Sequence, residues 1–343
     1  MPSYRTGTVT AVLSERPGLQ RVEVGDRRAY VLTELIGPVA VGDRVVLNTT
    51  AVDLGLGTGG WDVVHWNLAR EAWSQPGRGG VLKLRYTSLQ VDVGAAEETA
   101  GDDPAGLDGT PVVACSLHSQ VACVAAAYAH AAPGSSLCYV MTDAGSLPLA
   151  LSDLAAALRE KGLLAGTVTV GQAFGGDREA VNLVSGMEIA RRDFGANAIV
   201  VGTGPGVVGT STGLGFSALE VATIVDLAGR GGGTPVVALR WSDADPRPRH
   251  RGISHHSMAA LHFTHERAIV PVPSGASRPE LGNHEVIEVE VPEMAALLAG
   301  VPLEVTTMGR GPAEDIGFFE YAGAAGVAAA TLAMSHGSLG PRS

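Results

Sequence analysis

Residues 245–257 read DPRPRHRGISHHS. Three arginines (Arg247, Arg249, Arg251) and three histidines (His250, His255, His256) fall within these thirteen residues, on a chain whose formal net charge is -11 at pH 7. Pro246 and Pro248 stiffen the backbone and disfavour helix before them. The arginines then project from a restricted segment, and guanidinium forks suit carboxylates or phosphates. Ser254 is a good N-cap for a helix running from about residue 255. His255 and His256 then fall in the first turn, where the positive helix end disfavours imidazolium. Neutral imidazoles near pH 7 can serve as bases or metal ligands. The competing reading is an arginine loop that salt-bridges the acidic surface, with one histidine packed inside.

Other polar stretches offer partners. Residues 202–215 are glycine-rich, and Gly204, Gly206 and Gly209 form a G-x-G-x-x-G after a predicted strand. Ser217 and Glu220 make a capping box, so the next helix is expected only from about residue 218. So long a loop argues against an NAD fingerprint and for a glycine-lined nest that holds an anion, with Thr210 and Ser211 included. Ser211 also sits in a G-x-S-x-G. Asp243 or Asp245 and then His255, His256 or His284 follow it in α/β-hydrolase order, so a serine hydrolase is a second alternative. Ser211 lies well past the strand end, however, and not on a tight elbow.

Asp177 and Glu179 in GGDREAVN can cap a helix or serve the site, and Asp143 is similar, with Ser146 as a helix cap after it. With His255 and His256 these carboxylates could hold a divalent metal, although no spacing is diagnostic. Arg310, near the C-terminus, either reaches the site or anchors the helix behind Glu314 and Asp315.

The elements that must position these residues follow from patterning. About 65 residues at the start, with 81–93 added, are short β-rich runs broken by turn residues. They predict an N-terminal β-barrel over 1–94, SH3-like or OB-like. Residues 95–110, acidic and aperiodic, are expected to be a linker. From 111 to 343 strands and helices alternate, with strands expected at 111–115, 136–141, 165–170, 197–202, 234–240 and 268–272. That predicts an α/β domain with a mainly parallel, doubly wound sheet. Nearly every unusual polar stretch follows one of these strands. In such a sheet those loops gather at the carboxyl edge, where ligands bind.

Composition narrows the function classes. A hydrophobic content of 45% with 17% charged residues is that of a globular protein. The acidic balance argues against nucleic acid or an anionic membrane as partner. Cys115, Cys123 and Cys138 read as buried reduced thiols. The start shows no secretion signal, and the apolar run 321–334 is short and rich in Ala and Gly, so a buried helix and a cytoplasmic protein are expected. Small-residue helices at 119–132 and 321–334 suggest a homodimer.

The stretches GQAFGGDREAVN, GTGPGVVGTSTGLGFS, ADPRPRHRGISHHS and TMGRGPAEDIGFF resemble a bacterial family common in actinobacteria, a domain of unknown function numbered 3866. The resemblance runs nearly end to end and implies no activity. From the residues alone, the expected function is an enzyme acting on a small anionic metabolite, phosphorylated or carboxylated. Asp177, Asp245, His255 and His256 are the candidate catalytic groups; Asp143, the glycine loop, the three arginines and His250 are the candidate ligand-binding groups. The alternative is a non-catalytic small-molecule sensor or scaffold.

Overall fold

The computed structural model describes residues 1–57, 59–77, 79–100 and 106–337, and the chain divides into two units, Met1–Gly94 and Ala95–Ser343. In the first unit β1 (Tyr4–Arg16), β2 (Leu19–Val24), β3 (Arg27–Leu32), β4 (Arg44–Asn48) and β5 (Trp61–Asn67) close into a barrel of order β1-β2-β3-β5-β4. β1 is long enough to serve two neighbours. Its start, from Tyr4 to Thr8, pairs with β4, and the rest pairs with β2 through register irregularities at Val9/Ala11 and Val12/Ser14. Such bulges bend a strand and let a small sheet curl shut. Val9, Val22, Val31, Val45, Leu47 and Val64 fill the interior. β3 and β5 run parallel while the other pairs are antiparallel. That pairing, in that order, makes the barrel OB-like rather than SH3-like. Two single-turn helices, α1 (Thr33–Ile36) and α2 (Thr50–Asp53), follow β3 and β4. A short ribbon of β6 (Leu82–Lys83) and β7 (Val91–Asp92) completes the unit.

The second unit is an α/β fold. Its strands are β8 (Pro111–Cys115), β9 (Leu137–Thr142), β10 (Gly166–Thr169), β11 (Arg178–Glu179), β12 (Ala198–Thr203), β13 (Thr234–Ala238), β16 (Ile269–Pro273) and β17 (Glu285–Val289). They form one parallel sheet of order β11-β10-β9-β12-β8-β13-β16-β17. A separate ribbon joins β14 (Trp241–Ser242) to β15 (Gly252–Ile253). The inner strands PVVAC, LCYVMT and AIVVGT are buried throughout, the pattern of a sheet covered on both faces. On one face lie α3 (His118–Ala131), α4 (Asp153–Glu160), α8 (Met294–Leu298) and α9 (Ile316–Gly337). On the other lie α5 (Leu183–Phe194), α6 (Glu220–Arg230) and α7 (His255–His262).

Several expectations need correction. The apolar C-terminal helix is longer than 321–334: Ile316–His336 is long and apolar enough to cross a membrane, yet 72% of its most apolar window is buried in this fold. α9 packs on α3 so closely that a Cβ at Gly326 would lie 2.4 Å from the carbonyl oxygen of Val124. The small-residue helices therefore serve each other within one chain, and they no longer speak for a homodimer. Residues 101–105 of the expected linker lie outside the described residues. On either side of them the segment packs on the α/β unit: Leu107 is fully buried, and Glu97 accepts hydrogen bonds from the Val181 N–H and the Ser185 hydroxyl.

Candidate functional site

β12, β8 and β13 are neighbours and end nearly level, since Cys115 pairs with Gly202 on one side and with Ala238 on the other. The loops that leave β12 and β13 therefore rise from the carboxyl edge on either side of β8, at the position where parallel sheets bind ligands. Gln120, fully buried in the first turn of α3, ties this edge together. Its carbonyl accepts from the Ser116 and Leu117 N–H groups, and its amide donates to the carbonyls of Ala238 and Leu239.

The two loops meet. Arg249 donates to the carbonyls of Ser211 (3.2 Å) and Thr210 (3.4 Å). Phe216, at the end of the β12 loop, stacks on His256 at 3.8 Å between ring centroids and stands edge-on to His255 at 5.4 Å. As expected, Ser254 caps α7, accepting from the His256 N–H at 3.2 Å. His250 comes from a 3-10 turn at Pro248–His250. The three imidazoles form one cluster with centroids 4.4 to 5.1 Å apart. His250 is fully buried, and its Nδ1 lies 2.7 Å from the Ser254 hydroxyl. Its Nε2 and both ring nitrogens of His255 are buried with no hydrogen-bond partner among the described residues. Unpartnered polar atoms are rare in protein interiors and point to something the fold itself does not supply.

Asp245 organises the surrounding cations. It is fully buried and takes a two-pronged pair of bonds from Arg247, at 2.9 and 2.8 Å. Arg240 and Arg310 also approach it, at 3.5 and 3.8 Å, and Arg251 donates to its backbone carbonyl. The Arg247 guanidinium holds the Asp245 carboxyl well below the usual carboxylate range. So engaged, Asp245 positions the arginines and is not a free base. Arg310 does both things considered for it: besides reaching Asp245, it donates to buried Asp315, the residue before α9. Burial, then the Arg240 guanidinium, pushes His250 down to about 4 and His256 to about 3, and burial lowers His255 too. All three are neutral at pH 7. Where the sequence pointed to the helix end, the causes here are burial and the guanidinium neighbours.

Other expected members lie elsewhere. Asp177 accepts from the N–H and hydroxyl of Thr167, near the start of β10, and pairs with Arg159. The chain turns back after β10, and this carries Asp177 toward the amino side of the sheet, away from the histidines. Its capping part belongs to Asn182, which caps α5. Glu179 accepts from the Thr169 hydroxyl and the Gly175 N–H. Asp143 accepts from the Gln172 N–H, and Ser152 rather than Ser146 caps α4. His284 is held by Thr264, Leu261 and the Ala268 N–H, outside the cluster.

The glycine loop differs in detail from an anion nest. The N–H groups of Val208 and Thr210 are used within the loop, by the Ser217 hydroxyl and the Gly215 carbonyl. Gly204 and Gly206 face the loop after β9, at Gly145 and Ser146. Toward Arg249 the loop turns carbonyl oxygens. Ser211 is exposed, and among the described residues its hydroxyl has no bond to a histidine. A 3-10 turn at Ser217–Leu219 leads into α6 near the expected start, but among the described residues no capping box forms there: the Glu220 carboxylate accepts from the Thr142 hydroxyl at 2.9 Å.

Sequence reasoning missed two groups at this edge, Arg240 and Glu220, and noted a third, His118, without giving it a role. Arg240, almost fully buried and within 3.4 Å of His256 Nδ1, read as an ordinary strand end. Glu220 is pushed up to about 7 by burial, against the pull of Thr142 and with the help of the nearby Asp143 charge. His118 lies between the Ser152 hydroxyl, at 2.7 Å from Nε2, and the Thr203 carbonyl, at 3.0 Å from Nδ1. Its only sequence signal was its place after β8.

No curated protein and no solved structure matches this chain. Among protein families, the one described as "Protein of unknown function (DUF3866)" matches residues 28–326. The match spans the barrel from β3 onward, the whole carboxyl edge and half of α9, and on that extent the chain is a member of the DUF3866 family.

Proposed function

We propose that the protein is an enzyme acting on a small anionic metabolite, phosphorylated or carboxylated, at the carboxyl edge of its parallel sheet. One observation carries this reading: neutral histidines with unpartnered ring nitrogens lie directly among guanidiniums. Arg240, Arg247 and Arg310 converge on one carboxylate, so the cluster keeps an excess of positive charge inside an acidic chain. A local reversal of sign of this kind draws in a small anion that the rest of the surface repels. Arg249, exposed and tied among the described residues to the loop carbonyls of Ser211 and Thr210, is free to exchange them for ligand oxygens. His255, with both nitrogens unengaged, is the group to accept or give a proton. The buried thiols of Cys115, Cys123 and Cys138 are pushed upward by burial, which fits a cytoplasmic setting with reduced cysteines.

Calorimetric titration with inorganic phosphate and with citrate tests the anion step. A charge-assisted hydrogen bond contributes about 1.5–3 kcal/mol, so Arg249→Gln is expected to weaken the better-bound probe about 10- to 100-fold. His255→Gln should leave that affinity within a few-fold and reduce turnover of a phosphorylated or carboxylated substrate by about 10²- to 10⁴-fold. Equal affinities in wild type and Arg249→Gln would remove the arginine from the site. Turnover unchanged in His255→Gln would remove His255 from the proton transfer, and anion binding without turnover in wild type would favour a sensor over an enzyme.

A further inference from the structure

We propose that His250, His255 and His256 together bind one divalent transition-metal ion, of the kind zinc represents, with a further coordination position open to the anion near Arg249. The three-histidine ligand set stands on its own observations; the open position for an anion rests on the functional reading above. One ring nitrogen from each histidine lies within 4.8 Å of the others. A tetrahedral ion with bonds of about 2.1 Å needs ligand nitrogens roughly 3.4 Å apart, so small ring rotations close the gap. The local fold delivers all three to one point: His255 and His256 open α7, and His250 ends the turn just before it.

The unpartnered atoms argue for an ion. Among the described residues, His250 Nε2 and both nitrogens of His255 are buried without partners. The Ser254 oxygen, 2.7 Å from His250 Nδ1, can accept that N–H and leave the Nε2 lone pair for a metal. Phe216 walls the cluster on the His256 side. An all-imidazole set with an open position suits zinc, cobalt, nickel or copper, and does not suit magnesium or calcium, which prefer oxygen ligands.

The charged neighbours set a further requirement. Arg240 lies 3.4 Å from His256 Nδ1, Arg247 and Arg249 act on the same rings, and Asp245 is the carboxylate that offsets them. A dication among these guanidiniums is disfavoured on its own and favoured with an anion beside it. Metal and oxyanion should therefore strengthen each other's binding, and linkage makes that effect reciprocal.

The test uses full-length, tag-free, chelator-treated protein titrated with cobalt(II) alone, read by visible absorption and by calorimetry. Wild type should bind one equivalent with the strong bands of a low-coordinate site. His250→Gln and His255→Gln should each lose at least tenfold in affinity, and His262→Gln, outside the cluster, should not. Adding phosphate should tighten cobalt binding several-fold in wild type and not in Arg249→Gln. Circular dichroism checks that each variant is folded; if His250→Gln is not, His255→Gln decides. No saturable cobalt binding with or without phosphate, or equal affinity in the folded histidine variants, overturns the proposal. Phosphate titration of metal-free protein separates the two ideas. Phosphate binding without cobalt binding removes only the metal, whereas cobalt binding without any phosphate effect removes only the anion.

Discussion

Asp245→Asn should cost the α/β unit about 3–5 kcal/mol of stability, the usual effect of removing one partner from a buried ion pair. Asparagine keeps the shape but not the charge. Arg247 would keep at most one of its two side-chain bonds to residue 245 and would face an NH2 donor in place of the other, and Arg240, itself almost fully buried, would lose its carboxylate neighbour. Burial and the neighbouring Arg247 already depress Arg240 to about 10, so it tolerates little further loss. The pH dependence has a definite sign. The folded Asp245 carboxyl sits far below its unfolded value, so its stabilisation is fully present above about pH 4 and is lost as pH falls below that. Urea unfolding at pH 7 and pH 3 checks both parts. A loss below 1 kcal/mol at pH 7 would mean that Asp245 is not the clamp described.

Glu220 gives the second large effect, of opposite sign. Its folded carboxyl titrates near 7 and its unfolded one near 4.5. Between those values the folded protein keeps a proton that the unfolded chain has released, so stability falls as pH rises from about 4.5 to about 7. The full shift would be worth about 3 kcal/mol at 1.36 kcal/mol per pH unit. Since Glu220 is only partly buried, about 2 kcal/mol is expected. Glu220→Gln keeps an acceptor for the Thr142 hydroxyl and removes the titration. It should match wild type at pH 4.5 and exceed it by about that amount at pH 8. Parallel stability curves for the two proteins would contradict the assignment.

The sheet was legible because its inner strands are continuous β-branched runs between glycines and prolines; PVVAC and AIVVGT have no other comfortable home than a two-sided sheet. Edge strands hid for the converse reason. β11 has only two residues, and EVIEV of β17 alternates with glutamates like a solvated segment. The barrel type could not be read, since it depends on the parallel pairing of β3 with β5, a long-range fact without local signature.

The cluster of His250, His255 and His256 was legible because its members are close in sequence and Ser254 marks a helix start. What the sequence could not show is which arginines are already engaged. Arg247 and Asp245 sit two residues apart and look like one more charged pair, yet the carboxylate is buried and recruits Arg240 and Arg310 from other segments. Asp177 was misplaced because strand order says where a loop leaves the sheet, and not where it crosses back.

The proposed function requires a small anion to bind at this histidine cluster under Arg249. Histidine-selective ¹⁵N NMR tests it most directly, with ring resonances of wild type and Arg249→Gln followed as phosphate or citrate is added at pH 7. Saturable shifts of His255 and His256 are expected in wild type, much weakened in Arg249→Gln, while His130 and His262 stay unmoved. Ring signals that do not respond to either anion, or that respond equally in both proteins, would contradict it.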